Sequence, residues 1–129
     1  LDPIKLRSKH GPEYKIQNRF VRYLEDRGWL VERMIGNMYQ FGIPDLFVSH
    51  PKYGQRWIDI KNAGEYDFTT RQIQKWPVWE AHGVGIWIIT GDEDYEKLKG
   101  PPNWRNYWKT RYGDLPTKEE LIHDLESNA

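Results

Sequence analysis

GIPDLFVSHPKYGQRWIDIK, residues 42–61, is the stretch on which the reading of this chain turns. Its arms DLFV and WIDI flank the polar loop HPKYGQ as the strands of a hairpin flank their turn. Side chains alternate across a strand, so Asp59 and Lys61 share one face, while Ile58 and Ile60 share the other and can go to a core. Asp45 opens the partner arm directly after Pro44, which suits a strand start because proline cannot donate to the ladder. The pattern therefore predicts two carboxylates and one ammonium carried on adjacent, rigid arms. A carboxylate pair with a lysine beside it suits a metal site with a cationic helper, the arrangement that metal-assisted phosphodiester hydrolysis needs. Each part also has an ordinary reading: proline–aspartate opens many strands, and Asp-x-Lys is commonly a solvated strand face.

Upstream, Gly11-Pro12 is a break followed by a residue suited to the first turn of a helix. Tyr14, Ile16, Phe20, Val21 and Leu24 then recur at three and four, an amphipathic helix that stops at Gly28. Glu13 sits in its first turn, either as a carboxylate favoured by the helix dipole or as a third acid delivered to the hairpin's site. Trp29 to Ile35 reads as a strand. The loop from Gly36 to Gly42 leads into the hairpin, and its Asn37, Tyr39 and Gln40 are candidate substrate contacts or ordinary loop polar groups.

Downstream, Thr69 or Thr70 caps a second helix through Arg71, Gln72, Lys75 and Trp76. Pro77 predicts either a later start or a kink, since proline removes a helix donor. Gly83 to Thr90 is the most apolar run and predicts a buried strand, which a right-handed crossover sets parallel to the Asp59 strand. The acidic stretch from Gly91 to Glu96 lacks the spacing of a calcium loop and reads as a turn entering a short helix. Trp104, Tyr107, Trp108 and Tyr112 interleave with Arg105, Lys109 and Arg111. Helical spacing favours packing on the sheet or on a second subunit, and base stacking is the other use of such a mixture. Thr117 with Glu120 forms a capping box for a short terminal helix. The fold expected is a single α/β domain over residues 1–129, an α+β arrangement on a mixed sheet, with a core of about 12–90 and an aromatic, helical extension over 91–129.

Gly42-Ile43-Pro44-Asp45 followed by Asp59-Ile60-Lys61 resembles the PD-(D/E)xK nuclease signature. The wider pattern is similar to the VRR-Nuc branch, with phage-type and Holliday-junction-resolvase-like nucleases nearest in flavour. Glu13 with Ile16-Gln17 matches that branch's opening, and Phe68-Thr69, Gln72 and Gly83 match its second helix. Asp59 stands where glutamate is more usual in the branch, within the broader signature. The resemblance implies a restriction-endonuclease-like αβββαβ core and a magnesium-dependent DNA endonuclease, with Mn²⁺ able to substitute. It implies Asp45, Asp59, the main-chain carbonyl of Ile60 and Glu13 as the metal's ligands. Lys61 would orient or help deprotonate the attacking water, and Gln72 would sit beside the site. Arg71, Lys75, Lys15 and Arg19, with the loop residues 37, 39 and 40, would contact DNA. Junctions or flaps are the substrates implied first. A sequence-specific homing or restriction-type enzyme, or a binding module that holds DNA without cutting, are the other readings. Cutting both strands would require a homodimer, with the aromatic segment 104–112 as candidate interface.

Composition narrows the field. The chain has 129 residues and a formal net charge of +0, so bulk charge gives no argument for nucleic acid, although the front half is basic and the tail acidic. The absence of cysteine excludes disulfides, a thiolate nucleophile and cysteine-bound zinc, and fits a cytoplasmic setting. No histidine has a metal-ligand partner at a convincing spacing, no apolar run approaches the ~20 residues that span a bilayer, and no phosphate loop is present.

Overall fold

A computed structural model describes residues 11–34 and 41–114. The elements run α1 (Pro12–Glu25), β1 (Leu30–Arg33), β2 (Leu46–His50), β3 (Gly54–Ile60), α2 (Thr70–Ala81) and β4 (Ile86–Ile89). A 3₁₀ helix (Asp92–Lys99) and α3 (Trp104–Tyr112) follow. The expected αβββαβ order is present, and the four strands form one mixed sheet in the order β1-β2-β3-β4. The hairpin is antiparallel, with Leu46 opposite Ile58 and His50 opposite Gly54. β4 lies parallel to β3, as the crossover through α2 requires.

Both faces of the sheet are covered. Ile58 and Ile60 point with Leu46 and Val48 into a core closed by Phe20, Val21 and Leu24 of α1. The opposite face carries Ile86 and Ile88 under Phe68, Trp76 and Trp104, with Trp57 packed against them. That two-sided cover explains why β4 is buried at every position. β4 is also an edge strand, and Asn103 closes its open side. Asn103 Oδ1 accepts from Ile88 N at 2.6 Å, and its Nδ2 donates to Ile88 O at 3.1 Å, so no further chain can add there.

The helices start and stop for local reasons. Pro12 occupies the first turn of α1, where a missing N–H costs nothing. Thr69 caps α2 in a full capping box: its hydroxyl accepts from Gln72 N, and Gln72 Oε1 accepts from Thr69 N. α2 runs through Pro77 without starting later, and Pro77 is buried beside Trp76. β1 is shorter than the expected Trp29–Ile35. Trp29 N donates to Leu24 O at 3.1 Å, which ties Trp29 back to the end of α1 instead of to the sheet. The acidic turn does enter a helix, of 3₁₀ type, with Asp94 Oδ2 accepting from both the amide and the hydroxyl of Thr90. The predicted terminal helix after Thr117 lies outside the described residues. No helix among the described residues is long and apolar enough to cross a membrane.

Candidate active site

The alternation expected of β3 places Asp59 on the α2 face of the sheet and continues to Lys61, just past the strand's end. Both are buried, at 2% and 1% exposure, and Gln72 of α2 is buried above them at 3%. Lys61 Nζ lies 3.1 Å from Asp59 Oδ2, donates to Gln72 Oε1 at 3.1 Å, and donates to the carbonyl of Asp67 at 2.8 Å. The Gln72 amide nitrogen makes long contacts of 3.4 and 3.5 Å with the two Asp59 oxygens. The Gln72 side chain therefore accepts from the ammonium at one end and turns its donor toward the carboxylate at the other. The walls are aromatic: the ammonium lies 4.9 Å from the Phe68 ring centre and 5.9 Å from that of Trp76.

Asp45 arrives from the neighbouring strand. The register puts Leu46 opposite Ile58, so one step further sets Asp45 across from Asp59 on the same face. Asp45 Oδ2 accepts from Ile60 N at 2.7 Å, a bond that fixes the carboxylate beside the end of β3. Loss of hydration holds the Asp45 carboxyl well above the ordinary carboxylate range, and the charge of Asp59 pushes it further up. The Ile60 amide and Lys61 pull the other way, and Glu13 adds a smaller upward push. That last influence brings Glu13 into the picture from α1. It lines a cleft of about 460 Å³ with Glu65, Asp67 and Thr69, and the main chain of Asp67 and Thr69 is what holds Lys61 and Gln72.

The chemistry of this set fits a hard divalent cation. Asp45 and Asp59 are oxygen donors that repel each other, set opposite one another where β3 ends at Ile60. Among the described residues no group of three or more His, Cys, Asp or Glu side chains is gathered as a metal cluster. The donor set therefore rests on two carboxylates and a main-chain oxygen, with Glu13 at the margin.

The remaining predicted residues divide. Arg71 and Lys75 lie on α2 beside Gln72 and line an open hollow with Phe41. Lys15 is exposed on α1. Arg19 lines a different hollow, near Thr90 and Glu93, and its guanidinium lies 3.9 Å from Asp92. Asn37, Tyr39 and Gln40 lie outside the described residues. The aromatic segment is taken up by the fold: Trp104 is buried in the second core, with Tyr107 and Trp108 packed against it.

Sequence reasoning missed the support that α3 gives the site. Tyr112 OH donates to Asp67 Oδ1 and accepts from Phe68 N, both at 3.0 Å, and Arg111 Nη2 lies 3.2 Å from the same Asp67 oxygen. This pins the loop whose carbonyl receives the Lys61 ammonium. The partners are 45 residues apart in sequence, so no local pattern could have shown them. Comparison with known protein families, curated proteins and solved structures returns no match to this chain.

Proposed function

We propose that this chain is an endonuclease that hydrolyses phosphodiester bonds in DNA with a divalent cation, Mg²⁺ or in its place Mn²⁺, on a restriction-endonuclease-like scaffold. One observation carries the reading: two acids and an amine from adjacent arms of one sheet lie on a single face, with a glutamine bridging the amine and Asp59. The αβββαβ order and the mixed sheet support the kinship with PD-(D/E)xK nucleases.

Asp45, Asp59 and the Ile60 carbonyl would hold the cation, with Glu13 near enough on α1 for its charge to act on Asp45. When bound, the cation would neutralise charge on the phosphate and lower the pKa of a water molecule. Lys61 offsets negative charge that grows on the phosphate in the transition state. Gln72 fixes the Asp59 carboxylate against Lys61. The neighbouring cleft is lined by Glu13, Glu65 and Asp67, so an anionic substrate lying across it would be favoured only when a cation balances those carboxylates. Cutting both strands of a duplex would require two copies, since the described residues carry one such set.

The competing reading is a module of the same fold that binds DNA without cutting, and the burial of the Lys61–Asp59 pair favours it, because a structural ion pair has the same appearance. Incubating plasmid, four-way junction and flap DNA with the protein, with and without Mg²⁺, separates the two. The expected result is Mg²⁺-dependent nicking that Asp45→Asn and Lys61→Ala each abolish while DNA binding remains. Undiminished cutting by both variants refutes the mechanism; wild-type binding with no cutting supports the module. Cleavage at a fixed sequence in every substrate would mark a restriction-type or homing enzyme.

A further inference from the structure

We infer that the hollow between Phe41 and α2 seats one unpaired nucleobase, so that the DNA acted on carries an unstacked nucleotide beside the phosphate that is cut. The inference rests on the reading of the site as a nuclease and names the substrate class for it.

Phe41 is 52% exposed, one of few large apolar side chains left in solvent among the described residues. The backbone that follows it is held firmly. Gly42 has φ +76° and lies so close to α2 that a Cβ there would meet the carbonyl carbon and oxygen of Arg71 at 2.8 Å. Gly42 O also accepts from Trp76 Nε1 at 2.8 Å. An aromatic ring presented by fixed backbone gives up little entropy on binding. It faces an open hollow of about 360 Å³ floored by Val78 and Trp79.

The charges around the hollow are of one sign. Arg71 and Lys75 are a helical turn apart on α2, and among the described residues neither has an ion-pair partner. By contrast Arg105 is committed to Glu80, Arg111 to Asp67, Lys97 to Asp94 and Lys99 to Glu96. No carboxylate stands among the described residues that line the hollow. Apolar walls with two uncommitted cations fit a planar, uncharged ring on an anionic backbone, which is the chemistry of a nucleotide. A base inside a duplex has both faces stacked on its neighbours and offers none to Phe41, so the seat accepts only an unpaired one. The seat is joined to the proposed reactive face through the main chain: Gly42, which follows Phe41, packs on the backbone of Arg71 and Gln72, and the Gln72 side chain contacts Asp59 and Lys61.

The test measures binding without turnover. Oligonucleotides carrying 2-aminopurine in a single-stranded overhang, and a blunt duplex of the same length, are titrated with the full chain in EDTA by fluorescence and anisotropy. The overhang is expected to bind more tightly than the blunt duplex, with quenching of 2-aminopurine. Phe41→Ala is expected to weaken overhang binding about 5- to 150-fold, the range for loss of one stacked base, and to leave the blunt duplex unchanged. Phe41→Trp should retain the preference. Arg71→Gln with Lys75→Gln should flatten the salt dependence of overhang binding, by about 0.7 in log–log slope for each phosphate no longer neutralised. Equal affinity for overhang and duplex, or a preference that survives Phe41→Ala in a variant with unchanged melting temperature, overturns the inference. A concentration-dependent dimer that Phe41→Ala dissociates, with overhang binding unaltered, overturns it in favour of a second copy on this face. If Phe41-dependent overhang binding is present but Mg²⁺ brings no cutting, the seat stands and the nuclease reading falls; cutting with no Phe41 dependence gives the reverse.

Discussion

Replacing Lys61 with methionine asks whether the buried ammonium shares its place with a divalent cation. Methionine keeps an unbranched stem of similar volume, so little cavity opens. The ammonium's ion pair with Asp59 at 3.1 Å is removed, along with its bonds to Asp67 O and Gln72 Oε1. Asp59, 2% exposed, is left as a buried carboxylate without its cation. Removing one partner of a buried pair costs about 3–5 kcal/mol. For a chain of 129 residues, at roughly 4 °C per kcal/mol, Tm in EDTA should fall by about 10–20 °C. Two carboxylates without the ammonium are then a better cation site than two carboxylates beside it. Mg²⁺ should therefore bind the variant at least about tenfold more tightly, ~1.4 kcal/mol, and at 100 times its Kd should restore about 2.7 kcal/mol of stability. Thermal melts across a Mg²⁺ titration, for wild type, Lys61→Met and the Asp59→Asn control, read this directly. The control should lose the Mg²⁺ effect. A Mg²⁺-induced shift in Lys61→Met no larger than in wild type refutes the reasoning and leaves Lys61 as a structural cation.

Three further outcomes are expected. The raised Asp45 carboxyl keeps its proton in the folded chain at pH values where the unfolded chain has released it. Without a divalent cation, stability should be highest below about pH 4 as far as this group is concerned, and should decline as pH rises to its raised value. Asp45→Asn should flatten that decline in urea melts; an unchanged profile would show that Asp45 is not its source. Gly42→Ala should destabilise by at least about 2 kcal/mol, because it adds a left-handed strain of about 1–2 kcal/mol to a clash with the α2 backbone. A loss below about 0.5 kcal/mol in chemical denaturation would contradict that close approach. Tyr112→Phe removes two hydrogen bonds from the Asp67–Phe68 loop and should cost about 1–2 kcal/mol. It should also lower turnover, although Tyr112 touches neither Asp59 nor Lys61; a destabilised variant with unchanged turnover would reduce α3 to packing.

What could be read from sequence follows from range. Alternation along Trp57 to Lys61 assigned faces correctly because a strand's period is two and both faces of this one are covered. The cap of α2, narrowed by sequence to Thr69 or Thr70, and the parallel placement of β4 were legible for the same reason: each is set by neighbours within a few residues or by chirality. Pro77 misled in part. Of the two outcomes it predicted, the later start is excluded, because the Thr69 cap fixes the start of α2 and burial of Trp76 and Pro77 carries the helix through that point. Trp29 misled more simply, because its amide was claimed by the end of α1 and not by a strand. The aromatic cage and the Tyr112 clamp join positions with no common period, so only the folded chain brings them together.

The hydrogen-bond inventory of Lys61 also narrows its role. A lysine ammonium has three N–H donors and no acceptor. Here two donate, to Asp67 O at 2.8 Å and Gln72 Oε1 at 3.1 Å, and Asp59 Oδ2 lies 3.1 Å away as the ion-pair partner. Two hydrogen bonds and a paired charge are what allow a lysine to sit at 1% exposure in a wall of aromatic rings. They also mean that a neutral amine would turn a lone pair toward one of these oxygens in a poorly hydrated site. Taking a proton from water would therefore first require Lys61 to release a partner that the loop, the helix or the strand supplies. Compensating charge in the proposed reaction requires no such change, since the ammonium is already held against Asp59. The arrangement thus favours Lys61 as a fixed positive charge over Lys61 as a base, and it gives Gln72 and Asp67 the task of keeping that charge in place.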